Sequence, residues 1–297
     1  MGYMAALGAA TCWAFTSILA VAPVRSIGPI PFNAFRMLFV GILLTCWLLI
    51  SRQWSLPNNE NLQLLLLSGF IGIFMGDTLL FLSMKILGPR MAGLLFAINA
   101  PLSFLLSILI LRETYDWYNV VGAFGVMSGV LVAIAARSRA GEHAWEQSLG
   151  HVGLGLLAGF AAAACQSIGT LIIFDLLREG QNPILATTIR VWIAVVFLII
   201  CLFIPTLSGG FKQYKLLNLR LCLQVALSGI LGMAIGMSLL LWAIKLAPLG
   251  TVVILSATTP VILLPILWFI TKKRPARLSG LAAVLVVAGT AMLFIAV

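Results

Sequence analysis

Apolar runs recur along the whole chain, each about 20 residues long and so able to cross a hydrocarbon core roughly 30 Å thick as a helix rising about 1.5 Å per residue. Read against their Gly, Pro and charged punctuation, they give ten candidate spans, near 3–23, 32–51, 62–85, 89–111, 117–136, 150–175, 183–205, 219–244, 248–270 and 276–297. The runs are continuous rather than alternating, which fits helices and not a barrel, and a helix satisfies its backbone hydrogen bonds within one segment. Only 9% of the 297 residues are charged, against roughly 25% in soluble domains. The first run is read as a helix and not as a cleaved leader, because no basic stretch precedes Tyr3 and the sixth span is its counterpart.

A repeat runs through these spans. Gly69, Gly72 and Gly76 match Gly229, Gly232 and Gly236, and both runs end on a lysine, Lys85 and Lys245, at the same distance. Pro89 and Pro248 follow, and then Pro101 and Pro260. Upstream, Arg36 and Arg190 sit in the opening turns of the second and seventh spans. Five is an odd number, so the second half enters the membrane upside down relative to the first. The expected fold is therefore an all-α integral membrane protein of ten transmembrane helices in two inverted five-helix repeats. Residues 1–136 form the first, 137–149 a polar linker and 150–297 the second. Inverted repeats are characteristic of secondary transporters, whose halves meet at the bilayer midplane and expose a shared site alternately to each side.

The net charge of +10 reflects membrane orientation rather than nucleic-acid binding, since most Lys and Arg residues lie in short loops. The loops following odd-numbered spans hold twelve of them, including Arg25, Lys85, Arg90 and Lys272, and the opposite side four: Arg52, Arg112, Arg178 and Lys245. The positive-inside rule places both termini outside, with a bacterial inner membrane as the expected location. The linker carries Arg137, Arg139, Glu142, His143 and Glu146. Both histidines, His143 and His151, lie in it or at its edge, and the five cysteines fall at unrelated depths within helices, so no metal site or disulfide is expected. No Gly-rich phosphate loop ending in Lys-Ser or Lys-Thr is present, so transport would run without ATP, and no cofactor is expected.

Polar groups inside hydrocarbon mark candidate functional residues. Asp77 stands in the middle of the third span, where its repeat partner is Met237. It is either a proton-titrating or amine-binding group or a salt-bridge partner of Arg36. Arg36 and Arg190 either snorkel to the headgroups or point inward at opposite mouths, steering an anionic group or holding a gate. Lys85 and Lys245 either cap their helices or receive a phosphate-bearing solute. Asn99 before Pro101 matches Thr258 before Pro260; such discontinuities in both halves point to a central site, with the two prolines as hinges. Trp13, Thr16 and Ser17 in the first span, Gln166, Ser167 and Thr170 in the sixth, and Trp242 complete the expected cavity.

These features resemble the drug/metabolite transporter superfamily, in particular its ten-helix EamA-type members. In the first half the resemblance rests on Trp13, Phe35-Arg36, and the stretch from Pro101 through Leu111-Arg112-Glu113 to Gly122 and Gly129; in the second, on Arg190, Pro260 and Gly289. Two positions depart: Thr271-Lys272-Lys273 stands where the pattern has a glutamate, and Cys165-Gln166 where it has a tryptophan. The resemblance implies a small-metabolite carrier, often an exporter of amino acids or related compounds, with other branches handling nucleotide sugars and sugar phosphates. A membrane enzyme acting on lipid would need an acid-base set at depth, and the mid-span acid has no histidine companion. No catalytic residue is therefore assigned.

Overall fold

In the computed structural model, residues 1–55, 57–137, 151–204, 218–271 and 277–295 are described, and every element among them is helical. The linker beyond Arg137, with its histidine His143, and Lys272 and Lys273 lie outside the described residues. Among the described residues, seven helical stretches are long and apolar enough to cross a membrane, and Trp117–Val132, Leu249–Leu263 and Gly280–Ile295 are shorter apolar helices.

Helix α1 (Gly2–Ile27) turns at Gly28 into α2 (Pro29–Ile50). Helix α3 (Asn59–Ser68) runs on through a π-helical turn, Gly69–Met75, into α4 (Gly76–Ala97). Then follow α5 (Asn99–Leu109), α6 (Trp117–Arg137), α7 (Val152–Ile172), the short α8 (Phe174–Arg178) and α9 (Pro183–Leu202). Helix α10 (Leu219–Gly229) passes through a second π-helix, Ile230–Met237, into α11 (Ser238–Leu246), and α12 (Leu249–Ser256), α13 (Thr259–Thr271) and α14 (Arg277–Ile295) close the chain.

Local chemistry sets these boundaries. Asn58 caps α3 by accepting from the Asn61 amide at 2.8 Å, and Asn218 caps α10 by accepting from the Leu221 amide at 2.9 Å. Such caps stabilise by about 1 kcal/mol each. α4 bends at Gly88, whose φ of 83° and ψ of 162° almost repeat those of Gly28, 88° and 163°. Both precede a proline, which forbids helical geometry in the residue before it. The positive φ at this ψ is open essentially to glycine alone.

Several expected single spans are interrupted. The run 89–111 breaks at Ile98 and 248–270 at Ala257 and Thr258, each two to three residues before the matched prolines. Helices at matching places in the two halves pack against each other, α6 on α14 and α2 on α9, and α5 packs on α12. The α6–α14 contact is made backbone to backbone, since a Cβ on Gly289 would stand 2.6 Å from the Gly122 carbonyl oxygen. Without a hydrophobic drive inside lipid, such close approach is what holds helices together.

Candidate functional site

Arg36 and Arg190 each lie seven residues beyond the proline that opens their helix, Pro29 and Pro183. Two helical turns put both about 10 Å along the axis from the helix start. Arg36 is 3% exposed and Arg190 fully buried. The flanking glycines make room for them. A Cβ on Gly229 would meet Arg36 Cγ at 3.2 Å, and one on Gly69 would meet the Arg190 backbone at 2.6 Å.

Arg36 and Asp77 form a buried salt bridge, Nη2 donating to Oδ2. The guanidinium also stands over the ring of Phe81, 4.8 Å from its centroid, and near that of Phe32, 5.7 Å away. Such cation–π contacts add about 1–2 kcal/mol where water is excluded.

Beside this pair lies a cavity of about 200 Å³. Trp13, Thr16 and Ser17 of α1, Asp77 and Phe81 of α4, Asn99 and Ser103 of α5, Gln166 and Thr170 of α7, and Arg36 all line it. The opposite wall is Gly232, Met233 and Met237 from the second π-helix, with Val253, Ser256, Ala257 and Thr259. Trp13 is fixed there because its indole N–H donates to the Gly232 carbonyl at 2.8 Å. π-Helical turns loosen the regular ladder and occur often at functional sites. On the α5–α7 side, Ser103 donates to Ser167 at 3.0 Å, and Ser167 Oγ lies 3.1 Å from the Asn99 carbonyl oxygen. Asn99 turns its side-chain amide back onto the Phe96 carbonyl at 2.9 Å, next to the helix break.

Other residues singled out from the sequence stand elsewhere. Trp242 is 42% exposed and off the cavity. Met233, Met237 and Leu240 follow helical spacing along the lining face, and Trp242, five residues past Met237, falls on another. Thr258 is also off the cavity; its hydroxyl is spent on the Leu255 carbonyl at 2.7 Å, and Thr259 beside it reaches the wall instead. Lys85 and Lys245 are outside the lining, and the Lys245 ammonium donates to the Gly180 carbonyl at 3.1 Å. Pro101 is exposed, in the first turn of α5, and Pro260 occupies the first turn of α13.

One end of the bundle is latched. Glu113 Oε1 accepts from the Leu249 amide at 3.0 Å, the Tyr115 hydroxyl oxygen accepts from the Gly250 amide at 3.1 Å, and the Tyr115 hydroxyl donates to Glu113. The turn after α5 thus supplies the N-terminal cap of α12, with a carboxylate favoured there by the helix dipole. The acid-bearing turn was visible in the sequence, but its partner, the start of a helix about 135 residues away, was not. Burial first, then the Glu113 hydrogen bond, raises the Tyr115 phenol above its ordinary 10.0. A raised folded-state value means the contribution is complete below pH 10 and lost as alkalinity rises further. Glu113→Ala is expected to destabilise by about 1–2 kcal/mol and to speed hydrogen–deuterium exchange in α12 ahead of the other helices. Unchanged exchange there would refute the latch.

The EamA-like transporter family model matches residues 1–135 and 153–295. The chain belongs to this family. Its members are membrane transporters of small solutes within the drug/metabolite transporter superfamily, and this protein is an integral membrane protein of that kind. Among solved structures, one described only as a crystal structure of a protein matches with a TM-score of 0.70, covering 98% of this chain and 96% of its own at 18% identity. That likeness speaks to the fold alone. No curated protein matches the sequence.

Proposed function

We propose that this EamA-family protein is a secondary carrier that exports small polar organic metabolites, amino acids or compounds related to them, by alternating access. The observation that carries this reading is the central cavity, walled by helices from both matched segments and furnished with Asp77, Asn99, Gln166 and Thr170. Its volume of about 200 Å³ falls below the roughly 300–1,000 Å³ of drug-sized sites, in keeping with a small solute. Exchange of phosphorylated metabolites is less well supported, since Lys85 and Lys245 stand off the cavity.

Alternating access draws support from a difference between the repeats. Ala92, Gly93 and Phe96 line the cavity, whereas their counterparts Thr251, Val252 and Leu255 are packed away; Ala97 and its counterpart Ser256 both line it. Exchanging these two arrangements between inverted halves, residues 1–136 and 150–297, would close one mouth and open the other. The cavity wall runs from Trp13 to Ala20 along α1 and from Asp77 to Met84 along α4, toward Gly28 and Gly88 and away from the Glu113 latch. Those turns lie on the side richer in Lys and Arg, which becomes the cytoplasm of a bacterial inner membrane when both termini are outside. An exporter loads from that side. A coupling proton would have one carboxylate to occupy in the cavity wall, Asp77.

Counterflow of labelled amino acids into proteoliposomes tests the reading; flux no greater than in empty liposomes across the pool would refute it. Gly93→Leu refines the test. A Cβ at Gly93 meets nothing within 4 Å, so this variant is expected to keep its thermal stability while filling the cavity and cutting flux severalfold.

A further inference from the structure

The two buried arginines have unequal partners. Arg36 meets Asp77, while Arg190 Nη1 meets Met237 Sδ at 3.7 Å, and Met237 occupies in the second half the place Asp77 holds in the first. Arg190 Nε and Nη2 have no hydrogen-bond partner among the described residues. The guanidinium, fully buried, therefore meets no oxygen acceptor there and has only a thioether, a weak acceptor, against it. Asp77 lies within electrostatic reach but is hydrogen-bonded to Arg36. Two arginines and one aspartate leave this part of the bundle one positive charge in excess.

Buried charges persist where they are paired or serve function. Arg190 sits behind a removable screen: Met237 both touches it and lines the cavity. A methionine side chain has three rotatable bonds and repacks readily. Gly72 lets the guanidinium pack directly on its backbone, since a Cβ there would stand 3.0 Å from Nη2. We propose that Arg190 is the acid-binding subsite of the carrier, and that the transported solute bears a carboxylate that displaces the Met237 thioether and takes the place Asp77 takes on Arg36. Adjacent N–H donors of a guanidinium match the two oxygens of one carboxylate. The excess charge suits a solute with a single uncompensated acid group. This assignment rests on the carrier reading and narrows its substrate class.

The experiment reads binding without flux. Purified protein in detergent is heated with matched pairs: lactate and lactamide, N-acetylleucine and N-acetylleucinamide, leucine and leucinamide, with inorganic phosphate as a separate arm. At least one acid is expected to raise the unfolding temperature by several degrees while its amide does not, because a ligand held by the folded state stabilises it. Arg190→Gln should lose that shift. Met237→Asp should supply the missing carboxylate from within: this variant is expected to unfold at a higher temperature than the parent and to be indifferent to acids, although an acidic residue placed in an apolar core ordinarily destabilises. Equal shifts for acid and amide, no shift with any acid, a larger response to phosphate than to carboxylates, or a less stable Met237→Asp protein would each overturn the assignment. Proteoliposome flux of an uncharged or cationic solute would persist in that case, so failure here is distinct from failure of the carrier reading.

Discussion

Asp77→Asn is expected to abolish solute flux and to lower the stability of the folded protein by about 3–5 kcal/mol, the usual cost of breaking one side of a buried ion pair. The cost is large because Arg36 cannot retreat. Its guanidinium is enclosed by Phe32 and Phe81, its stem lies against Gly229, and its salt-bridge oxygen would be gone. The double replacement Arg36→Met with Asp77→Leu should recover most of the stability, because an apolar pair of similar volume avoids desolvating two charges. Flux should stay absent in the double variant if the pair belongs to the transport site. Thermal unfolding in detergent and proteoliposome counterflow separate the two effects; a double variant that transports normally would show the pair to be scaffold only. Where Asp77→Asn retains some flux, an unchanged dependence on a pH gradient would remove Asp77 as the coupling group.

Gly169→Val should prevent recovery of a folded protein altogether. A Cβ at Gly169 would lie 2.7 Å from Gly72 Cα and 2.9 Å from Gly72 N, so the obstacle is backbone, and no rotamer change can relieve it. The Ser68 hydroxyl donates to the Gly169 carbonyl at the same crossing, tying the end of α3 to α7. Separating these helices would also move Gln166 and Thr170 out of the cavity wall. Overpacking a relaxed core costs about 1–3 kcal/mol, and this contact exceeds that case because neither partner can yield. Gly153→Ala is the matched control, since nothing lies within 4 Å of its would-be Cβ. Size-exclusion profiles should show a monodisperse peak for the control and aggregate for Gly169→Val; a well-folded Gly169→Val protein would mean that the crossing is looser than the geometry implies.

Much of the cavity was legible in the chain because lipid penalises polar groups. Trp13, Thr16, Asp77, Asn99 and Gln166 stand out as polar or amphipathic residues in apolar helices, and all five reach its wall. Pattern failed where rotation about a helix axis mattered. Trp242 and Thr258 were indistinguishable from lining residues in one dimension, yet one faces outward and the other turns its hydroxyl onto its own backbone. The sequence left Arg36 and Arg190 either outward-reaching or inward-pointing; the packing of neighbouring helices buries both.

Hydropathy and spacing by themselves determined that the chain is a helical membrane protein, where its helices bend, and that its glycines, prolines, lysines and arginines recur in two halves. These are local properties: the length of an apolar run, a glycine before a proline, a glycine where another helix must pass. Tertiary structure alone decided which arginine receives the aspartate, that Met237 rather than a carboxylate faces Arg190, and that Glu113 caps a helix in the other half. Each of those pairings joins residues far apart in sequence, and a contact between distant segments depends on how whole helices cross, which no single helix encodes.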